Sequence, residues 1–486
     1  MKSCSNNSTS YKIIFAYIGI LMIIIGAIIL LPLLILIAYP HEVKYAPTFI
    51  IPSIISMGIG ILLSRLVDFK KYSNISLGGD AIIVVATWII ATIFSSMPFI
   101  LLGEFNFTQA YFEAVSGWTT TGLSVVNVEN IPKIYLIHRS IMQFFGGIGI
   151  VLVMVSALSA TFGMRLYNSE GHSDKLLPNL IKSSRMILTI YVGYVLSGTI
   201  LYYIFDMPLF DALNHSIAAL STGGFSVRGN SIGEYNSFSI ELITIILMLL
   251  GTTNFAAHLL LLKGKFKKFF KLGEVRFMLI LLGVTIPLVT FVSLNRLYGS
   301  LSRALRVAAF ELVSALSTTG FSTVGYGKWP SFAILVMISL MVIGGGAGST
   351  AGGIKLNRIY LIMKRMIWNL KRKFKPEHVV SQDSIYKPEG KVYIEDSNIL
   401  DASNYAFTYI ILFIIGTGVI TAYGYPLQDA MFEFASSLGT VGLSVGITGI
   451  SAPSAILWIE ILGMLFGRLE IWVIFIAIVK IFKRNN

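Results

Sequence analysis

The chain has 486 residues, of which 55% are hydrophobic and 13% charged, and its mean hydropathy is +0.77. That is too apolar for a soluble protein of this length and leaves a polytopic membrane protein. The net charge of +13 does not argue for nucleic acid, because cytoplasmic loops of membrane proteins carry such an excess, and the lone Cys4 excludes a disulfide framework and a thiolate metal site.

In chain order, a polar tail from Met1 to Lys12 precedes an apolar run, Ile13 to Ala38. This run exceeds the ~7–15-residue core of a signal peptide and lacks a small-x-small cleavage site, so it is expected to stay as a helix. It pairs with a second span, Pro47 to Leu66, in an accessory hairpin. Four units of one plan follow: an apolar span, a short amphipathic segment, a glycine motif and a further apolar span. The first spans are Ala81–Leu102, Met186–Phe205, Val275–Leu294 and Ser403–Tyr423. The second spans are Ile137–Phe162, Phe238–Leu262, Ser331–Met363 and Ala455–Phe482. With ~20 residues needed to cross a ~30 Å hydrocarbon core, the expectation is an all-α membrane protein of ten spans and four half-depth helices. The units are drawn as hairpin 1–78, repeats 79–166, 167–268 and 269–375, cytoplasmic linker 376–400 and repeat 401–486.

The motifs are Thr120-Thr121-Gly122-Leu123-Ser124, Thr222-Gly223-Gly224-Phe225-Ser226, Thr318-Thr319-Gly320-Phe321-Ser322 and Thr440-Val441-Gly442-Leu443-Ser444. Nine residues before each third-position glycine stand Glu113, His215, Glu311 and Glu433. Recurrence in such register marks an internal duplication. A polar, glycine-bearing stretch at membrane depth must line a water- or ion-filled space. A half-helix ending at each motif, such as 108–119, turns its partially negative end toward the axis and favours a cation. Glycine permits φ > 0, so carbonyls and a threonine hydroxyl can replace a hydration shell. The motifs hold no ionisable residue, which points to K⁺-like ions rather than Ca²⁺ or Mg²⁺. The competing reading is glycine used only for helix packing.

Lys44, Lys133, Arg139, Arg228, Arg296, Arg303, Arg306 and Lys328 fall on one side of the membrane and Arg468 within a span. The remaining basic residues lie with the two termini, which the positive-inside rule puts in the cytoplasm. The carboxylates before the motifs have two readings, helix N-terminal charge complementarity and direct ion attraction. The basic run Lys263–Arg276 is either a solvated, membrane-facing loop or a partner-docking surface. The stretch Gly344, Gly345, Gly346, Ala347, Gly348, Ser349, Thr350, Ala351, Gly352, Gly353 interrupts the third repeat's second span near mid-membrane. So much glycine opposes a helix, and the expectation is a mobile loop that obstructs the pore below the filter, with close helix packing as the other reading. Arg468 lies 26 residues after Gly442, as Gly346 lies 26 after Gly320, so the two are expected at one depth. There the guanidinium either faces the pore, repelling K⁺ and bonding the loop's carbonyls, or forms a buried ion pair with another helix.

These motifs, with Gln143-Phe144-Phe145-Gly146-Gly147-Ile148-Gly149 and Gly467-Arg468-Leu469-Glu470, resemble the TrkH-type membrane subunits of bacterial Trk potassium-uptake systems, in the Trk/Ktr/HKT superfamily. The resemblance spans nearly the whole chain, and the extra N-terminal hairpin favours this branch over the shorter KtrB relatives. It implies four M1–pore helix–M2 repeats around one pore, K⁺ uptake across the bacterial cytoplasmic membrane, and a homodimer in membrane lipid. It also implies a cytoplasmic nucleotide-binding partner resembling TrkA. Glycine at all four filter positions departs from Na⁺-preferring plant relatives, which often carry serine in the first. No cofactor beyond the transported K⁺ is expected, and no nucleotide-binding GxGxxG stands in a βαβ context. Three other readings stay open: a Na⁺- or H⁺-coupled K⁺ symporter, an organic-solute transporter, whose repeats are usually two, and a membrane-embedded enzyme using His215 and Ser221, which the recurrence of the motif disfavours.

Overall fold

The structure, a computed structural model, describes residues 2–67, 79–149, 180–374, 383–388 and 390–482. Helices α1 (Lys2–Leu30) and α2 (Ala46–Ser64) form the N-terminal hairpin. Its faces interlock through small residues, with Ser53 Oγ donating to Gly26 O at 2.7 Å and Ser56 Oγ to Met22 O at 2.9 Å, as helix pairs in lipid require. The hairpin packs on α3 (Gly79–Leu102). Its loop carboxylate, Glu42, accepts from Lys133 N at 2.9 Å and Ile134 N at 2.8 Å. It thereby caps the first turn of α5 (Lys133–Ile148) and satisfies donors that have no partner within the helix.

Between α3 and α5 lies α4 (Phe107–Trp118), opened by a capping box between Asn106 and Gln109. The second repeat comprises α6 (Leu180–Ile204), α7 (Leu209–Leu220), α8 (Phe238–Gly251) and α9 (Phe255–Leu262). The third has α10 (Gly273–Val289), α11 (Leu301–Ser317), α12 (Ser331–Ile343) and α13 (Leu356–Lys373). The fourth has α14 (Asp396–Ala422), α15 (Leu427–Leu438), α16 (Ser454–Arg468) and α17 (Ile471–Phe482). Pro132, Pro208, Pro330, Pro426 and Pro453 stand immediately before α5, α7, α12, α15 and α16. There the missing N–H costs nothing and the next helix starts cleanly.

Among the described residues six helices are long and apolar enough to cross a membrane, or up to eight if each bent pair counts as one span. The difference from ten continuous spans lies in the second spans. The expected Phe238–Leu262 helix is α8 and α9 meeting at 115°, and the expected Ala455–Phe482 helix is α16 and α17 meeting at 101°. The third breaks after 13 residues at Ile343, as its glycines foretell. In the first, α5 ends at Gly149, with φ 94°, and the remainder of Ile137–Phe162 lies outside the described residues. The residues flanking the bends at 252–254 and 469–470 are largely apolar and the bends themselves short, so averaged hydropathy does not register them. The cause is close approach. Cβ atoms on Gly146, Gly251 and Gly467 would collide with the carbonyls of Trp118, Leu220 and Leu438, the last residues of the half-helices, which pins each inner helix against its own half-helix.

The repeats pack cyclically: α5 against α7, α8 against α11, α12 against α15, and α16 against α4. The described part of the expected linker, 383–388 and 390–400, has regular structure. It forms a hairpin of β1 (Ser384–Lys387) and β2 (Gly390–Tyr393), tied to α13 by ion pairs of Arg365 and Arg372 with Asp383, and α14 begins before the expected Ser403.

Candidate functional site

The four motifs meet in a closed ring. A Cβ built on Gly122 would run into Gly223 O, on Gly224 into Thr319 O, on Gly320 into Val441 O, and on Gly442 into Thr121 O. Each oxygen belongs to the residue preceding the next repeat's glycine, and the fourth contact returns to the first. The glycines have φ of 94°, 68°, 85° and 99°, so they are required both by backbone conformation and by space. Two residues earlier, Thr120, Thr222, Thr318 and Thr440 also take positive φ, at 54°, 51°, 55° and 50°. For a β-branched residue this is a strained conformation of the kind held at functional sites. In the first two repeats the strain is offset locally, because Thr120 Oγ1 donates to Thr119 O and Thr222 Oγ1 to Ser221 O, both at 2.7 Å. The chemistry on offer is neutral oxygen donors converging from four half-helix C-termini, which suits a partly dehydrated monovalent cation.

The residues nine positions before the glycines are not at helix starts. They lie mid-helix, fully buried, and staple the chain just after the motif. Glu113 accepts from Ser124 Oγ at 3.0 Å and Val125 N at 3.1 Å, and Glu433 from Ser444 Oγ at 2.6 Å and Val445 N at 3.0 Å. Glu311 accepts from Thr323 N at 2.7 Å and Tyr326 Oη at 2.5 Å. His215 Nε2 pairs with Ser226 Oγ at 2.9 Å. The helix-terminus reading is therefore replaced by one of direct support, and the motif's terminal serine is explained by it in three of the four repeats. A cavity of about 620 Å³ opens above the ring, lined by Gly122, Gly224, Gly320 and Gly442 but by none of these carboxylates. Glu113 is also the partner of Arg139, Nε to Oε1 2.7 Å, with both side chains buried. Arg139 Nη1 donates to Ser226 O at 3.0 Å and so crosses into the second repeat. Arg139 was expected only as one of the basic residues on the outer side; its place inside the apolar span Ile137–Phe162, four residues before Gln143, was the available signal.

Below the ring, residues 344–355 fold into a loop against the foot of the motifs. Thr222 Oγ1 lies 3.1 Å from Thr350 Oγ1 and Gly352 N donates to Thr318 Oγ1 at 2.8 Å, while a Cβ on Gly352 would strike Thr440 Oγ1. Thr350 Oγ1 also contacts Gly251 O at 2.9 Å and Leu220 O at 3.1 Å. The bend between α8 and α9 holds the loop's far side: Asn254 Nδ2 donates to Ala347 O at 2.7 Å, Gly346 N to Thr252 O and Phe255 N to Gly348 O, both at 3.0 Å. The loop closes on itself through Gly345 N to Gly352 O at 3.3 Å and Leu356 N to Gly345 O at 2.7 Å, with Gly344 and Gly353 packed together. Ser349 Oγ donates to Gly346 O and Lys355 Nζ to Ala351 O. Arg468 Nη1 donates to Thr350 O at 2.6 Å, and Nη2 to Gly147 O at 2.9 Å and to Gly146 O. Glu470 pairs with Arg358 of α13 at 2.5 Å. The inner ends of α5, α8, α12 and α16 thus converge under the threonines.

His215 and Ser221 do not form a nucleophile–base pair. Both imidazole nitrogens are engaged, by Asp211 O and Ser226 Oγ, and Ser221 Oγ donates to Ala218 O at 3.3 Å.

Fold and site together define a predominantly helical polytopic membrane protein in which four half-helices bring neutral oxygens into one ring. A family profile for the TrkH cation transport proteins matches residues 51–486. The Trk system potassium uptake protein TrkH of Escherichia coli K12 is 30% identical over 98% of this chain and 100% of that protein. An uncharacterized cation transporter of Methanocaldococcus jannaschii is 30% identical over 97% of this chain and 96% of its own. The crystal structure of the potassium transporter TrkH from Vibrio parahaemolyticus superposes with a TM-score of 0.84 at 27% identity, covering 98% of this chain and 100% of that one. The chain belongs to the TrkH family of cation transport proteins.

Proposed function

We propose that this protein takes up potassium across the cytoplasmic membrane through the glycine ring acting as a selectivity filter. The carrying observation is the cyclic contact of Gly122, Gly224, Gly320 and Gly442 with the carbonyls at 223, 319, 441 and 121. Oxygens converging from four repeats match what a dehydrating K⁺ needs, and among the described residues no carboxylate lines the cavity above to favour a divalent ion. Thr120, Thr121, Thr222, Gly223, Thr318, Thr319, Thr440 and Val441 complete the ion-binding set. The loop 344–353 and Arg468 form the gate, since they fill the space under the filter with polar groups and a fixed positive charge. A cytoplasmic nucleotide-binding subunit resembling TrkA moves that gate, and the chain works as a homodimer with both termini in the cytoplasm; family membership and the distribution of basic residues support this part. In this reading the first three repeats run 79–166, 167–268 and 269–375 as drawn from the sequence, and the fourth begins with α14 at Asp396, inside the stretch expected as linker.

Potassium or rubidium uptake into vesicles holding the purified protein, with sodium and lithium as comparisons, tests the reading. Uptake that follows the K⁺ gradient alone and prefers K⁺ and Rb⁺ is expected. Uptake only with an imposed proton or sodium gradient would replace the channel-like mechanism by a symporter, and no K⁺ movement would end the proposal.

A further inference from the structure

The ring is not built alike in its four quarters. Behind the filter, the first and third repeats brace the residue before the glycine with a hydroxyl pair, Thr121 Oγ1 to Thr119 Oγ1 and Thr319 Oγ1 to Ser317 Oγ1, each 2.8 Å. The fourth has the buried Val441 there. A serine six residues before the glycine adds a second brace in these repeats. Gly122 N donates to Ser116 Oγ at 3.1 Å, Gly442 N to Ser436 Oγ at 3.0 Å, and Ser314 Oγ donates to Phe321 O at 2.6 Å. The second repeat has neither device, because Gly223 and Ala218 occupy the two positions.

Both gaps are filled by one side chain from the first repeat. Gln143, on α5 and fully buried, donates through Nε2 to Gly223 O at 2.5 Å and accepts at Oε1 from Phe225 N at 3.3 Å. Its amide therefore grips the backbone on either side of Gly224, and a Cβ on Gly223 would collide with it. The carbonyl it holds is the one that abuts Gly122, at the seam between first and second repeats. At the corresponding position, 21 residues after the glycine, the other repeats carry Ile245, Met341 and Gly463.

We infer that Gln143 is the positioning residue for the second quarter of the filter, standing in for the internal braces of the other three and thereby setting cation selectivity. The inference rests on the filter reading above. It follows from geometry: an amide with one donor and one acceptor engaged fixes two backbone groups at once, and a carbonyl free to rotate would relax the match to a particular ion radius.

The test compares K⁺ and Na⁺ uptake into vesicles by the full-length protein and its variants, with monodispersity in detergent as the measure of folding. Gln143→Leu keeps the bulk and removes both bonds; its K⁺ over Na⁺ preference is expected to fall roughly five- to tenfold, the worth of one or two hydrogen bonds. Gly223→Thr alone is expected to lose selectivity through collision with Gln143. Adding Gln143→Ala makes room, and the new threonine then stands two residues after Ser221, as Thr319 stands after Ser317. This double variant is expected to be more selective than Gly223→Thr. A folded Gln143→Leu protein with the parent's preference would overturn the inference while leaving the filter reading intact. If Gln143→Leu does not fold, a folded double variant no more selective than Gly223→Thr overturns it. A parent without K⁺ preference removes the filter reading and this inference with it.

Discussion

Arg468 Nη1 donates to the carbonyl of Thr350 at 2.6 Å across 118 positions of sequence. The bond ties the inner helix of the fourth repeat to the intramembrane loop of the third. Through Nη2 the same guanidinium holds the C-terminal carbonyls of α5, so three repeats share one charged clasp. Multidentate bonding of carbonyls at fixed angles is what a planar guanidinium offers and an ammonium does not.

The clasp gives the first prediction. Arg468→Ala removes charge-assisted bonds worth ~1.5–3 kcal/mol each and should raise K⁺ flux without a partner by roughly tenfold or more, at ~1.4 kcal/mol per decade. Arg468→Lys, retaining charge but not the fork, should lie between the two. Rubidium uptake by the purified variants is the measurement; loss of both transport and folded protein for Arg468→Ala would assign the residue to stability rather than gating.

Thr350 is the loop's own anchor, with contacts to Thr222, Gly251 and Leu220. Thr350→Val preserves shape and abolishes these bonds, leaving the partners' oxygens buried at ~1–3 kcal/mol each. Partner-free flux is expected to rise several-fold, and a shortened loop lacking residues 347–349 should raise it further. Unchanged flux from well-folded protein in both cases would refute the gate.

At Gly320, with φ 85° and a neighbouring carbonyl where a Cβ would stand, serine meets both a conformational and a steric penalty. Gly320→Ser should reduce discrimination of K⁺ over Na⁺ by roughly tenfold or more, as should Gly224→Ser, because carbonyl spacing and freedom set that preference. Ion competition during uptake decides the matter, and unaltered selectivity at all four glycines would dismiss the ring as the filter.

The buried pair Glu113–Arg139 braces the outer side of the ring. Removing one partner strands the other, at ~3–5 kcal/mol, so Arg139→Leu and Glu113→Leu should each lower the melting temperature in detergent markedly. The double variant should cost less than the two single changes added together. Additive losses would mean that the two groups do not interact.

Much of this was legible in the residues. Glu113, His215, Glu311 and Glu433 recur at one offset from the glycines, and recurrence at fixed spacing survives translation into three dimensions because each repeat folds by the same local rules. The glycine-rich break after Ile343 was readable because a helix cannot be continued through 344–353 at tolerable cost. The bends after Gly251 and Arg468 were not, since Thr252-Thr253-Asn254 and Leu469-Glu470 are short and the flanking residues remain apolar; what turns the chain is the half-helix carbonyl against the inner glycine. Likewise the carboxylates signalled a helix end by composition, while the groups they hold just after the motifs lie 11 to 15 residues further on, and Arg139 lies 26 beyond Glu113, outside any helical neighbour relation.

The membrane class, the fourfold unit and the glycines at its heart can be read from the residues alone, because hydropathy and backbone conformation are local properties. Long-range packing was needed to show which oxygen abuts which glycine, that Gln143 serves a neighbouring repeat, and that Arg468 meets Thr350. These contacts join residues about 80 to 320 positions apart. They are set by cyclic packing of inner helices on the next repeat's half-helix, which no spacing within a single repeat encodes.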